Sequence, residues 1–177
     1  MKQHALALIV AMRRDHLIGC DNKIPWKISE EQKLFREVTI GSVVIMGRET
    51  WCSIPQKFRP LPDRENIVVS STLVDAPGAY LVSSIDAALS LAHKLNKNIF
   101  VIGGVRMYKV ALEFVDMMHV SWVEYDGGCV GQPVYFPEFD HVEWILLSSK
   151  KYEYFTYEIF QRRNHSKEGS SRLFQNP

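Results

Sequence analysis

The sequence has little cysteine, and what it has is badly placed for chemistry. Cys20, Cys52 and Cys129 are odd in number, far apart, and lack any CxxC or Cys/His ligand spacing. This excludes a zinc site read from spacing, and it favours free thiols in a reducing compartment over a disulfide framework. The six histidines, at 4, 16, 93, 119, 141 and 165, are equally scattered, so no metal centre is expected. Charge of one sign is never concentrated: 21 basic and 20 acidic residues leave a net +1, spread along the chain. Neither nucleic acid nor a membrane surface is therefore an expected partner. No apolar run approaches the roughly 20 residues needed to span a bilayer. The N-terminal "ALALIVAM" ends in Arg13-Arg14-Asp15 without a small-residue cleavage site, which suits a buried strand rather than a secretory leader. A cytoplasmic location is expected.

What remains is an ordinary globular composition. Apolar residues make up 46% of the 177 and charged ones 23%, enough for one domain with a real core. Short apolar runs rich in branched residues, at 5–12, 43–46, 66–71, 79–82 and 98–104, alternate with helical patterns at 30–39, 49–53, 85–95 and 105–114. Continuous apolar strands separated by helices predict an α/β fold with a mainly parallel sheet covered on both faces. After 115 the helices stop, and "MMHVSWVEY", about 143–149 and "TYEIFQRR" are expected to add antiparallel strands at one end. "PQKFRPLPDR" is a proline-rich connection, unfit for helix or central strand. A domain over 1–163 followed by a polar tail over 164–177 is expected.

Open α/β sheets bind ligands beyond the carboxyl ends of their strands. Two such ends carry glycine and then a helical pattern: "VVIMGRETW", with Gly47 before Arg48-Glu49-Thr50, and "FVIGGVRMY", with Gly103-Gly104 before Val105. Helix starts offer unpaired N–H groups, and glycine lets a phosphate approach the backbone. Arg48, Thr50 and Ser71 are candidate side-chain donors. A dinucleotide with a pyrophosphate and a further ribose phosphate needs about this set of anion sites. Neither junction is a GxGxxG fingerprint, and each alone reads better as plain turn geometry; the two together, with a buried acid elsewhere, favour the ligand reading.

A carboxylate stands where it should not. Ser29-Glu30-Glu31-Gln32 fits a capping box, with Ser29 as N-cap and Gln32 at the third helical position. Glu31, Leu34, Phe35 and Val38 then fall at i, i+3, i+4 and i+7 on the inward stripe. One reading of Glu31 is a first-turn acid favoured by the positive helix end. The other is a buried carboxylate that must find a donor or bind a proton. A flat heterocycle with adjacent ring N–H and exocyclic amine donors would match it with two parallel hydrogen bonds, with Phe35 against the ring.

These residues resemble the dihydrofolate reductase family. The resemblance is carried by "IGCDNKIPW" (18–26), the acid at 31 with Phe35 and Thr39, "VVIMGRETW" (43–51), "SIPQKFRPLPDRENIVVSS" (53–71) and "VIGGVRMY" (101–108), in the family's order and spacing over about residues 5–160. It implies a three-layer fold with a central, mainly parallel eight-stranded sheet flanked by four helices. It also implies NADPH-dependent reduction of 7,8-dihydrofolate to tetrahydrofolate by a monomer that binds antifolates.

On this resemblance Glu31 is the catalytic carboxylate, supported by Ser121 in the place of a Thr, with Trp26 helping to hold a water. Ile9, Val10, Gln32, Phe35, Ile54, Leu61, Ile102 and Tyr108 belong to the substrate cleft, and Arg64 grips the α-carboxylate of the substrate's glutamate. The cofactor set comprises Ala11, Ile18, Gly19, Gly47, Arg48, Thr50, Ser70, Ser71, Thr72, Gly103, Gly104, Val105, Arg106, Met107 and Tyr108, with Arg48 and Ser71 favouring NADPH over NADH. "GCDNKIPW" corresponds to the mobile active-site loop, and Gly103-Gly104 to a pair joined by a cis peptide.

Departures from the family pattern are equally readable. "WVEYDGGCVGQPV" before "YFP" (135–137) is longer than usual, and the Asp that ties the active-site loop in relatives is replaced within "GQPV". "PWKISEEQKLF" also resembles a subset of mobile-element-borne bacterial reductases insensitive to trimethoprim, which carry Glu and Gln at these two positions. Two rival readings stand beside this one: an NADPH-dependent reductase of another pteridine or of a riboflavin precursor, and a non-catalytic binding protein.

Overall fold

The computed structural model describes residues 4–163; the expected 164–177 tail lies outside them. The elements run β1 (Leu6–Met12), β2 (Leu17–Cys20), α1 (Ser29–Thr39), β3 (Val43–Gly47), α2 (Arg48–Ser53), β4 (Glu65–Val69), β5 (Tyr80–Val82), α3 (Ile85–Lys94), β6 (Ile99–Val101), α4 (Val105–Ala111), β7 (Met117–Val123), β8 (Pro133–Tyr135), β9 (Trp144–Lys151) and β10 (Phe155–Arg162). Eight strands form one sheet in the order β5-β4-β3-β6-β1-β7-β10-β9, while β2 and β8 make a separate two-stranded ribbon. The mainly parallel eight-stranded sheet with four α-helices is as expected.

Alternation along β1 explains the three layers. Leu8, Val10 and Met12 face a core with Ala88 and Ala92 of α3 and Met107, Tyr108 and Ala111 of α4. Ala7 and Ile9 face the other side, with Trp51 of α2 and Phe35 and Val38 of α1. Side chains on successive strand positions point to opposite faces, so a fully apolar β1 requires helices on both.

Three expectations are corrected. First, β7 runs parallel to β1, with Ala11 opposite Ser121, and in the eight-stranded sheet only β10 is reversed, pairing antiparallel with both β7 and β9. The α4 crossover between β6 and β7 forces this direction. Second, α1 begins at Ser29 itself; Ile28 is the N-cap and no side chain caps the helix. Gln32 is exposed while Glu31 stays on the buried face, so the phase survives the wrong cap. Third, Cys20 and Cys129 form a disulfide with Cα atoms 5.7 Å apart, and only Cys52 is a free, exposed thiol among the described residues. The β2–β8 pairing, Gly19 opposite Val134 and Cys20 opposite Pro133, folds two distant segments together. The proline-rich connection also contains one turn of 3-10 helix, Gln56–Phe58, immediately after Pro55.

One buried pair in this core titrates. His119 on β7 lies between Ile9 and Ile159 in register, with its ring edge on Phe100 and its Nδ1 2.5 Å from the Tyr157 hydroxyl. Burial pulls the His119 pKa down from 6.5 to about 4 and pushes that of Tyr157 up to about 12. The unfolded chain therefore takes up a proton before the native state does. Stability is fully present above the unfolded pKa of 6.5 and falls as pH drops towards about 4, by about 3 kcal/mol. Urea unfolding at stepped pH should show this loss in the wild type and a flatter profile over the same window in His119→Phe.

Candidate active site

The parallel strands β1, β3, β4 and β6 all end on the same edge of the sheet, which is where their following loops converge. Two adjoining cavities open there, sharing Glu49, Gly104 and Val105. The first is lined by Val10, Ala11, Ile18, Gly19, Thr50, Ile102, Gly103 and Tyr108, all expected, and also by Asn22, Lys23, Ile24, Ser53 and Val134. The second is lined by Gly47, Arg48, Ser70, Ser71, Thr72, Arg106 and Met107, with Val69 and Ser83 added.

The glycines are where the walls come closest. Gly47 N–H donates to the Gly103 carbonyl at 2.8 Å, joining the two strand ends. A Cβ on Gly47 would meet Met107 at 3.3 Å, and one on Gly103 would meet the Tyr108 ring at 3.2 Å. Gly103 also has φ of +114°, a conformation that favours glycine. The Gly103-Gly104 peptide is cis. Tyr108 is fixed in turn, its hydroxyl donating to the Ile9 carbonyl at 2.9 Å. That bond leaves the Tyr108 ring as the surface presented to the cavity.

In the second cavity Arg48 donates to the Thr72 hydroxyl at 3.3 Å, and Ser70 Oγ accepts from the Thr72 and Leu73 amides. Arg48, Ser71 and Thr72 are exposed, so this cluster of one guanidinium and several hydroxyls faces outward with donors to spare. Both flanking helices are short, α2 with 6 residues and α4 with 7, so side-chain donors rather than a long helix dipole dominate the electrostatics here.

Glu31 lies outside both cavities, on the α1 side of β1, and is only 9% exposed. Burial raises its pKa above the ordinary carboxyl value, while the Ser121 hydroxyl facing it pulls the other way. Ser121 stands beside Ala11 in the β1–β7 register, which links the acid to the wall of the first cavity. Trp26 packs in a small cluster with Ala11 and Leu34, and its indole Nε1 is buried with no hydrogen-bond partner among the described residues. A buried donor of this kind is normally paired, so it suits a water or ligand acceptor next to the acid.

Phe35, Ile54 and Leu61 pack half-buried against Ile9 and Ile102, forming an apolar slot beside the carboxylate. Arg64 caps it: its Nε donates to the Pro62 carbonyl at 2.9 Å, its Nη1 to Thr39 Oγ1 at 3.1 Å, and its guanidinium sits 5.8 Å from the Phe35 ring centroid. Gln32 alone among the expected substrate residues points away, being exposed on α1.

The family model for dihydrofolate reductase matches residues 5–162. The chain belongs to the dihydrofolate reductase family. It is 38% identical to the dihydrofolate reductase of Buchnera aphidicola over 82% of this chain and 88% of that one. With the dihydrofolate reductase of Bacillus subtilis it shares 34% over 93% and 98%, and with that of Mycobacterium tuberculosis 39% over 67% and 71%.

In this dihydrofolate reductase family member the 20–23 turn is tied to the segment before β8. Asp21 Oδ1 accepts the Gln132 amide at 2.8 Å, and the Asp21 amide donates to the Gln132 carbonyl at 3.1 Å. Asp21 and Asn22 both have positive φ and form a two-residue hairpin tip, closed by paired Cys20–Lys23 backbone bonds of 2.8 and 3.0 Å.

Sequence reasoning missed the lining residue Val134, because a three-residue strand carries no periodic signal. It also missed Asn66, whose buried amide holds the Leu61 and Arg64 backbone with three bonds of 2.9 to 3.0 Å. A polar residue inside the apolar run "NIVV" was the available clue.

Proposed function

We propose that the slot and the two cavities together carry NADPH-dependent reduction of 7,8-dihydrofolate to tetrahydrofolate, with Glu31 as the single proton-handling group. The buried Glu31 carboxyl between an apolar slot and a glycine-walled cavity, its pKa raised by burial, is the observation that carries this reading. Its two oxygens suit the ring N–H and 2-amino group of a pterin lying against Phe35, Ile54 and Leu61. Ser121 holds the side chain in place, and the Trp26 indole offers a donor to a water that could pass a proton towards pterin N5.

The residues present fit NADPH. Arg48, Ser70, Ser71 and Thr72 supply donors for a ribose phosphate, and Gly47, Gly103 and Gly104 leave backbone room that any Cβ would fill. When bound, NADPH supplies the hydride that reduces pterin C6. Val10, Ala11, Ile102 and Tyr108 give its nicotinamide end a dry wall beside the substrate slot. Arg64, braced by Thr39 and Pro62 with its guanidinium partly free, suits a terminal carboxylate on the substrate. That favours a glutamate-tailed pterin over a tail-less precursor. Loss of NADPH absorbance on adding dihydrofolate tests the reading; a purified protein that binds both ligands without turnover would favour the non-catalytic alternative.

The Glu at 31 also supports reduced trimethoprim sensitivity. A glutamate reaches one methylene further than aspartate, which shifts a diaminopyrimidine bound to it relative to the Phe35 and Ile54 walls. A displacement of that size is worth about ten- to two-hundred-fold in affinity. Half-inhibition by trimethoprim is accordingly expected about ten- to two-hundred-fold above the low-nanomolar range of a sensitive enzyme, and Glu31→Asp should restore sensitivity; inhibition of the wild type at low nanomolar concentrations would end this proposal. A monomer in the cytoplasm completes the proposed picture.

A further inference from the structure

The loop that closes one side of the first cavity is poorly anchored by packing. Asp21, Asn22, Lys23 and Ile24 are all exposed, Ile24 at 63%. Few apolar contacts mean a low free energy of local opening. Two things tie its tip to the 124–132 segment: the reciprocal Asp21–Gln132 hydrogen bonds and the Cys20–Cys129 disulfide. The disulfide closes a sequence separation of 109 residues and is the one covalent tie between two segments otherwise joined by the short β2–β8 ribbon and those hydrogen bonds. Both cysteines are half-buried at the surface, within reach of small thiols and disulfides.

We propose that Cys20 and Cys129 form a thiol–disulfide modification site that sets the mobility of the cavity-lining loop and, with it, the rate of cofactor release. Its last clause rests on the cofactor reading above. Oxidation proceeds by attack of one protein thiolate on a small disulfide such as oxidised glutathione, which releases one thiol and leaves a mixed disulfide. The second protein thiolate then displaces the remaining small thiol. The protein loses two electrons and two protons and gains one S–S bond, while the small disulfide becomes two thiols. A dithiol reductant reverses the sequence.

The oxidised form pins Cys20 next to Gly19, a wall residue, and holds the Asp21-Asn22 tip at its seat on Gln132. In the reduced form the tip keeps only one backbone bond and one backbone-to-carboxylate bond to Gln132, with the short β2–β8 ribbon. Opening should then be more frequent and the nicotinamide end less enclosed.

The test uses the full chain in glutathione buffers of graded oxidised-to-reduced ratio, with free thiols counted and amide hydrogen exchange followed over 18–24. Exposed Cys52 would itself take a glutathione cap, so the count is read in a Cys52→Ser background: two reactive thiols in reducing buffer, and none, with no glutathione bound, in oxidising buffer. Exchange at the loop tip should be about tenfold slower in the oxidised form, NADPH should dissociate several-fold more slowly, and Cys129→Ser should behave as the reduced wild type in every buffer. A thiol count that never changes with buffer overturns the site. So does a disulfide whose formation leaves loop exchange unaltered, or a Cys129→Ser protein whose loop exchange still slows in oxidising buffer. If NADPH fails to bind in any form, the cofactor reading falls, while the thiol count and exchange still decide the site.

Discussion

Glu31→Ala should lower kcat/KM for dihydrofolate at pH 7 by about a thousandfold, in the range that a positioned proton donor or acceptor contributes. NADPH affinity should stay within a few-fold of the wild type, because Glu31 lines neither cavity. Burial raises the Glu31 pKa, so the wild type keeps a proton at higher pH than an exposed carboxyl would. Activity should decline as pH rises through that folded value, by about tenfold per pH unit, as the proton is lost. Glu31→Gln should show a flat profile there, since it cannot titrate. Stability should fall over the same rise in pH, and the alanine substitution should relieve that loss while abolishing activity. A carboxyl whose folded pKa lies above its unfolded one contributes stability that is present below the unfolded pKa and lost as pH rises, so the alanine variant should be as stable as the wild type at pH 8 or more so. A loss of kcat/KM below tenfold, or an Ala variant that unfolds well before the wild type, would sink the catalytic role.

Much of this was legible because the helix phase needs few residues. Leu34, Phe35 and Val38 fix the inward stripe of α1, so Glu31 falls on the buried face even though Ser29 proved to be the first helical residue rather than its cap. The strand ends at Gly47 and Gly103-Gly104 were equally readable, since a glycine between an apolar run and a helix leaves little freedom of interpretation. The direction of β7 was misjudged although its signal was present: a helix between β6 and β7 makes a crossover, and crossovers join parallel strands. The disulfide had no comparable signal. β2 and β8 are four and three residues long, too short for periodicity, and their pairing is what carries Cys20 to Cys129. Arg64 was found as a residue but not as a geometry, because its brace on Thr39 spans 25 positions of sequence.

Gly103→Ala should cost about 3 kcal/mol of stability and weaken NADPH binding at least tenfold, which makes it the most damaging single methyl this chain can receive at the site. Two effects coincide there. The backbone has φ of +114°, which an L side chain rarely adopts, and the new Cβ would lie 3.2 Å from Cε2, Cζ and Oη of Tyr108. Tyr108 has no easy retreat. It is 6% exposed, its ring lies 5.1 Å from that of Phe136, and its hydroxyl holds the Ile9 carbonyl at 2.9 Å. If the backbone moves instead, the 2.8 Å bond from Gly47 N–H to the Gly103 carbonyl breaks, and with it the seam between the two cavities. Gly41→Ala separates the causes, because Gly41 has φ of +74° but nothing within 4 Å of its added Cβ. That variant should lose about 1 kcal/mol from backbone conformation alone and bind NADPH as the wild type does. Should the Gly103 variant melt no lower than the Gly41 variant and retain full cofactor affinity, the close approach of Tyr108 to the strand end would not be what shapes the cavity.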